Sequence, residues 1–147
     1  MKIAITGHRP PRLKGQEKEI KAWIIKQFEE LQPSVIYDGM ASGTDLIAAT
    51  AAKELNIPIV CCYAYPKDKY GETEQWILEN NQKVTVSDSY SKKAYFYRDA
   101  YMVDHADVVL TVWDGVAAGG AYITREYAKK KNKTVIDYKG LISEGSN

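Results

Sequence analysis

The sequence predicts a three-layer α/β domain, with a mainly parallel sheet and helices on both faces. Three observations predict it. Short β-rich runs alternate with helical stretches of about ten to fifteen residues, the pattern of parallel βαβ units with right-handed crossovers. Ile57–Tyr63 is almost wholly apolar, as expected of a parallel strand covered on both faces. Three of the strand-like runs lead into glycine-bearing loops, Gly7-His8-Arg9-Pro10, Asp38–Asp45 and Trp113–Gly120, which in a parallel sheet emerge at one edge.

The elements follow in order. Lys2–Thr6 is the first strand; it ends at Gly7, and Pro10-Pro11 cannot continue a ladder. From Gln16 to Leu31 the apolar residues Ile20, Trp23, Ile24, Phe28 and Leu31 recur at the helical period, and Pro33 closes that helix. Ser34–Tyr37 is a strand, and the loop Asp38–Asp45 turns into an alanine-rich helix ending near Leu55. Ile57–Tyr63 is the third strand, stopped by Pro66. Glu72–Asn81 reads as a helix, Lys83–Ser87 as a short strand and Ser91–His105 as a helix, on the spacing of Ala94, Tyr97, Tyr101 and Met102. The strand Asp107–Val112, the Trp113–Gly120 loop, a helix from Ala121 to about Lys131 and a strand at Thr134–Tyr138 complete the chain. Residues 139–147 are expected to fray. With no repeat, low-complexity stretch or linker, residues 1–147 are expected to form one domain.

Composition narrows the function. A chain of 147 residues buries a core without disulfides or metals. A net charge of +1 gives no broad basic field, so a nucleic-acid partner is not expected and a small molecule is favoured. Cys61 and Cys62 are adjacent on a strand and point to opposite faces, so they do not pair; a reducing, cytoplasmic setting is expected. No apolar run approaches membrane length and no leader pattern is present, so no membrane partner is expected.

At the carboxyl edge of such a sheet, loop amides and helix N-termini present unpaired N–H groups to anions, and Gly7, Gly39, Gly43, Gly119 and Gly120 allow close backbone approach. Arg9 is either a bidentate phosphate ligand or a solvated loop arginine. His8 is a polar contact, since a lone histidine makes no metal site; none is expected. Ser42 belongs to the same loop cluster, and Thr44 and Asp45 open a helix, where they cap it or, for Asp45, bind a ribose hydroxyl. Asp114 has the same two readings. Trp113, at a strand end, is a candidate for base stacking, whereas Tyr97 and Tyr101 are expected in the core and the lysines from Lys129 to Lys133 on a solvated face. Arg98 and Glu126 flank the Trp113–Gly120 loop as a cation and a carboxylate that meet either beside one small molecule or as an ion pair between two helices.

Taken together, TGHRP at Thr6–Pro10, GMASGTD at Gly39–Asp45, and RDAYMVDHADVVLTVWDG from Arg98 with the later Gly119-Gly120 resemble the SLOG superfamily of Rossmann-like nucleotide-binding proteins, within it the small DUF1273/YpsA-like group. The resemblance covers nearly the whole chain. GMASGTD also looks like a loop of DprA, and Arg98 with Gly119–Glu126 looks like the LOG enzymes, phosphoribohydrolases that cleave nucleoside 5′-monophosphates into base and ribose 5-phosphate. The LOG signature GGxGTxxE is matched by Gly119, Gly120 and Glu126, while Tyr122 and Ile123 replace its later glycine and threonine. Tyrosine removes the close approach that glycine allows and isoleucine removes a hydroxyl, which Thr124 would supply one position later.

The resemblance implies a nucleotide or nucleotide-derived ligand at the carboxyl edge of the sheet, with the chain acting as sensor or sequestering module. It implies as alternatives a phosphoribohydrolase, with Glu126 stabilising an oxocarbenium-like sugar and Arg98 holding phosphate, or DprA-like DNA binding. No cofactor is expected, and a homo-oligomer is.

Overall fold

The computed structural model describes residues 1–142. Strand β1 (Lys2–Gly7) and helix α1 (Glu17–Leu31) are joined through a short 3-10 turn, Pro10–Arg12, with proline in its first turn. There follow β2 (Val35–Asp38), α2 (Thr44–Glu54), β3 (Ile59–Tyr63), α3 (Glu72–Leu78), β4 (Gln82–Thr85), α4 (Lys92–His105), β5 (Val108–Val112), α5 (Gly120–Lys130) and β6 (Thr134–Asp137). The strands form one sheet in the order β4-β3-β2-β1-β5-β6, and every pairing is parallel. The fold is the expected three-layer α/β arrangement.

Alternation along the strands builds two cores. Ile3, Ile5, Ile36, Ile59, Cys61 and Leu110 face α1, α2 and α3, packing on Ile20, Ile24, Phe28, the α2 alanines and Ile77. Ala4, Tyr37, Val60, Cys62 and Val109 face the opposite way, onto Met102 and Val103 of α4 and Ala128 of α5. Adjacent Cys61 and Cys62 therefore lie in different cores, both as free thiols.

Several boundaries move for local reasons. Helix α1 stops at Leu31 because Gln32 takes a left-handed conformation, its N–H donating to the Phe28 carbonyl at 2.9 Å, with Pro33 next. The third strand starts at Ile59 rather than Ile57, since Pro58 has no N–H for the ladder. Helix α3 ends at Leu78 rather than Asn81. Asn81 turns its amide back to the Ile77 carbonyl at 2.7 Å and accepts from the Ile59 N–H at 2.9 Å, tying the helix end to β3. The fraying expected from Lys139 is not found at 139–141, where Lys139–Leu141 form a 3-10 turn and Leu141 is buried in the core. The remainder of the expected tail, 143–147, lies outside the described residues. Among the described residues, no helix is long and apolar enough to cross a membrane.

Strand order fixes where a ligand would sit. Chain connections run outward from β1 through β2 and β3 to β4, then return to β5 on the other side of β1. Beyond the carboxyl ends of β1 and β5 the loops therefore diverge and leave a crevice, the switch point of open α/β sheets.

Candidate functional site

A cleft of about 380 Å³ opens at this switch point. Thr6, Gly7 and His8 from the end of β1 form its floor, with Arg9 and Arg12 from the following loop, Asp45 from α2, Tyr95, Arg98 and Asp99 from α4, and Gly120 and Ala121 from the start of α5. Helix α5 begins after Gly119 with no side-chain cap, so the N–H groups of its first turn face outward with the positive end of the dipole. Three guanidinium groups share the cleft with that helix end.

Arg98 is held in place by its surroundings. Its Nε donates to Asp99 Oδ1 at 3.0 Å and its Nη1 to the Gly39 carbonyl at 3.1 Å. Burial alone would lower its pKa, but Asp99 and Asp45 raise it and keep the cation charged. Asp99 in turn accepts from Thr124 Oγ1 at 3.1 Å. Gly39 is needed here for space, since a methyl at this position would lie 2.8 Å from Asp45 Oδ2 and 3.1 Å from Arg98 Cζ.

Under the cleft lie two carboxylates that water barely reaches. Asp38 is fully buried; one oxygen accepts from the Met40 N–H at 2.8 Å, and the other has no partner among the described residues. Burial, then neighbouring Asp45, raise its pKa well above the usual carboxylate range. Burial also pushes Asp45 up to about 6, against the pull of Arg98.

Asp114 has a different task. Arg12 donates to it through Nε at 3.0 Å and Nη2 at 2.8 Å, and the Val116 N–H reaches it at 3.0 Å. Burial opposes ionisation, but the Val116 amide, Arg12 and His8 hold its carboxyl down at about 2. The Asp114 N–H donates to His8 Nε2 at 3.2 Å, which leaves the ring proton on Nδ1, while burial and then Arg12 lower the His8 pKa. Asp114 does not line the cleft; it fixes the β5 loop to the β1 loop.

The structure therefore gathers Gly7, His8, Arg9, Asp45, Arg98 and Gly120 around one cleft and leaves other expected residues outside it. Glu126 is not among the residues that line the cleft. Thr124 faces inward to Asp99, and two residues further along a helix is some 200° around the axis, so Glu126 points away and lies instead by Arg125 at 3.6 Å and Lys129 at 3.5 Å. Among the described residues it makes no ion pair with Arg98, which pairs with Asp99 instead. Thr44 is fully buried, and its hydroxyl donates to the His8 carbonyl at 2.9 Å. Gly7 and Gly43 are closely approached by other parts of the chain. A methyl at Gly7 would lie 2.5 Å from Thr44 Oγ1, and one at Gly43, where φ is +86°, 2.7 Å from the His8 carbonyl oxygen. Gly119 takes φ +95° beside Arg12. Ser42 is exposed beyond the cleft. Trp113 is covered by Arg125, 4.5 Å from its ring centre, and its indole donates to the Val116 carbonyl at 2.7 Å. Tyr97 is exposed on the outside of α4 instead of in the core, while Tyr101 packs against the second core as expected.

Sequence reasoning passed over Arg12, Asp99 and Asp38. Asp38 carried a readable signal, since a carboxylate at the end of an apolar strand is costly to bury without a purpose. Nothing local announces Arg12, whose partner Asp114 lies 102 positions away, or the bond from Thr124 to Asp99, 25 positions apart.

No family model matches the chain, and no curated protein matches it in sequence. Solved structures do match in fold. DNA processing protein A (DprA) of Streptococcus pneumoniae is similar at TM-score 0.70 and 20% identity, over 98% of this chain and 52% of that one. DprA of Helicobacter pylori, whose structure concerns its single-stranded DNA binding mode, has TM-score 0.70 and 21% identity over 93% and 64%. The molybdenum cofactor carrier protein of Chlamydomonas reinhardtii has TM-score 0.66 and 12% identity over 92% and 74%. The chain thus spans about half of the first DprA and under two thirds of the second. At these identities the likeness is one of fold, and with the switch-point cleft it defines a Rossmann-like α/β protein. More narrowly, the fold is shared with the DprA and molybdenum cofactor carrier structures. The DprA likeness gives no support to the expectation against nucleic acid that the balanced charge suggested.

Proposed function

We propose that the chain binds a nucleotide or nucleotide-derived small molecule by its phosphate, acting as a sensor or sequestering module. The observation that carries this reading is the convergence of an uncapped helix N-terminus with Arg9, Arg12 and Arg98 in one cleft, beside an Asp45 carboxylate suited to a ribose hydroxyl. The solved neighbours support it at the level of ligand-binding fold only. Calorimetric titration with nucleoside 5′-monophosphates should give saturable binding that Arg98→Ala and Arg9→Ala each weaken about tenfold, the value of one charge-assisted contact. Parental affinity in both variants overturns the reading.

Cleavage of an N-glycosidic bond is the second reading, favoured by one observation: Asp45, with a pKa pushed up to about 6, stands beside Arg98 in the cleft, as a general acid or base working near neutrality must. Chromatographic detection of free base, lost in Asp45→Asn and retained in Glu126→Ala, would establish it. Loss in Glu126→Ala alone would return the role to Glu126. DNA binding, which the DprA neighbours bring in, predicts tight, salt-sensitive capture of single strands.

A further inference from the structure

A second cavity, of about 220 Å³, adjoins the cleft, and Arg9, Ala41, Tyr95 and Arg98 line both. The two differ in chemistry. Only the first contains the α5 N-terminus; the second is walled by Tyr63, Tyr65 and Tyr95, with Lys67 at its edge. Tyr65 comes from the loop after β3 and Tyr95 from the first turn of α4, so the wall forms only when these elements meet. The Tyr65 and Tyr95 hydroxyls lie 3.0 Å apart, and their rings meet edge to face at 5.8 Å and 82°. Tyr90, itself exposed, braces both rings from outside at 5.3 and 6.4 Å. The Arg98 guanidinium sits 5.6 Å from the Tyr95 ring centre. Tyr63 belongs to the first core, but Tyr65 and Tyr95 are only partly withdrawn from water and neither is a member of the two sheet cores.

Resting on the phosphate reading above, we propose that this second cavity is the base subsite of the same ligand, with the aromatic base against Tyr65 and Tyr95 and the phosphate in the neighbouring cleft at α5. Arg98 stands at the junction, where ribose meets phosphate, with Asp45 on the cleft side. Stacking on tyrosine is tolerant of base identity, so the site selects for the presence of a base more than for its kind. At about 220 Å³ the cavity has room for one base rather than a strand.

The test is a calorimetric comparison of inorganic phosphate, ribose 5-phosphate, adenosine 5′-monophosphate and cytidine 5′-monophosphate against the parent, Tyr65→Ala and Tyr65→Phe. Both nucleotides should bind the parent about tenfold or more tighter than ribose 5-phosphate. Tyr65→Ala should bring them down to the ribose 5-phosphate level while leaving ribose 5-phosphate itself unchanged. Tyr65→Phe, which keeps the ring and loses only the hydroxyl contact, should retain the advantage; it also keeps the proposal testable if the alanine variant unfolds. Equal parental affinity for ribose 5-phosphate and nucleotides overturns the base subsite and leaves the phosphate reading standing. No binding of any of the four overturns both. A single-stranded oligonucleotide binding a hundredfold tighter than the mononucleotides overturns the proposal in favour of a polymer ligand.

Discussion

Asp45 and Asp114 are carboxylates at the same edge of the sheet, driven in opposite directions by what surrounds them. Asp45 is buried near a second carboxylate and its pKa rises to about 6; Asp114 is forked by Arg12 and amide-bonded, and its pKa falls to about 2. The consequences for stability have opposite signs. Between the unfolded value near 4 and about 6, the folded state holds a proton on Asp45 that the unfolded chain has released, so this group's contribution falls as pH rises through that window. Asp114 contributes stability that is fully present above its unfolded value and is lost as pH falls towards about 2. Thermal melts should therefore show Asp45→Asn more stable than the parent at pH 7 and equal to it near pH 4. Asp114→Asn should be less stable at pH 7 and should lose the acid limb between pH 4 and 2. An Asp45→Asn protein less stable than the parent at pH 7 would show that its charge is better compensated by Arg98 than the burial implies.

At the scale of elements, glycines that look alike in sequence do different work. Gly43 precedes α2 with φ +86° and no room beside the His8 carbonyl, whereas Gly120 opens α5 with nothing within 4 Å of where a methyl would go. Gly43→Ala should cost about 1–3 kcal/mol in backbone strain before its clash is counted. Gly120→Ala should leave stability unchanged or raise it by up to about 1 kcal/mol, since alanine is the better helix former. Urea melts of the two variants separate the cases, and equal losses would mean that the α5 start is as tightly packed as the α2 start. Both glycines were legible as loop residues. Which one meets chain and which meets open space was not, because the neighbour that decides it, the β1 loop, is more than thirty positions away from Gly43.

Across the whole molecule, burial is concentrated at the centre of the sheet. Every residue of β5 is buried, as is the body of β1, while β4 at one edge is largely exposed. Native-state hydrogen exchange should accordingly be slowest in β1 and β5 and fastest among strands in β4. Slow exchange in β4 equal to that of β5 would mean that its open edge is covered by something in solution. The exposed β4 also explains why its limits, Gln82–Thr85, differ from the expected Lys83–Ser87. Gln82, Lys83 and Thr85 give no apolar signal, and the segment is a strand because it pairs with Val60–Tyr63.

The amino-acid sequence by itself determined the order of strands and helices, the parallel architecture and the edge at which the site lies, because apolar periodicity and the punctuation of glycine and proline act over a few residues. It also contained Arg98, Arg9 and Asp45 as members of that edge. Tertiary structure alone decided that Arg98 pairs with Asp99 and not with Glu126, that Asp114 is forked by Arg12 and Thr44 bonded to the His8 carbonyl, and that Tyr65 stands opposite Tyr95. Those outcomes depend on which face of a helix turns toward which loop. That rotation is set by the packing of two cores against one twisted sheet, to which residues far apart in the chain contribute together.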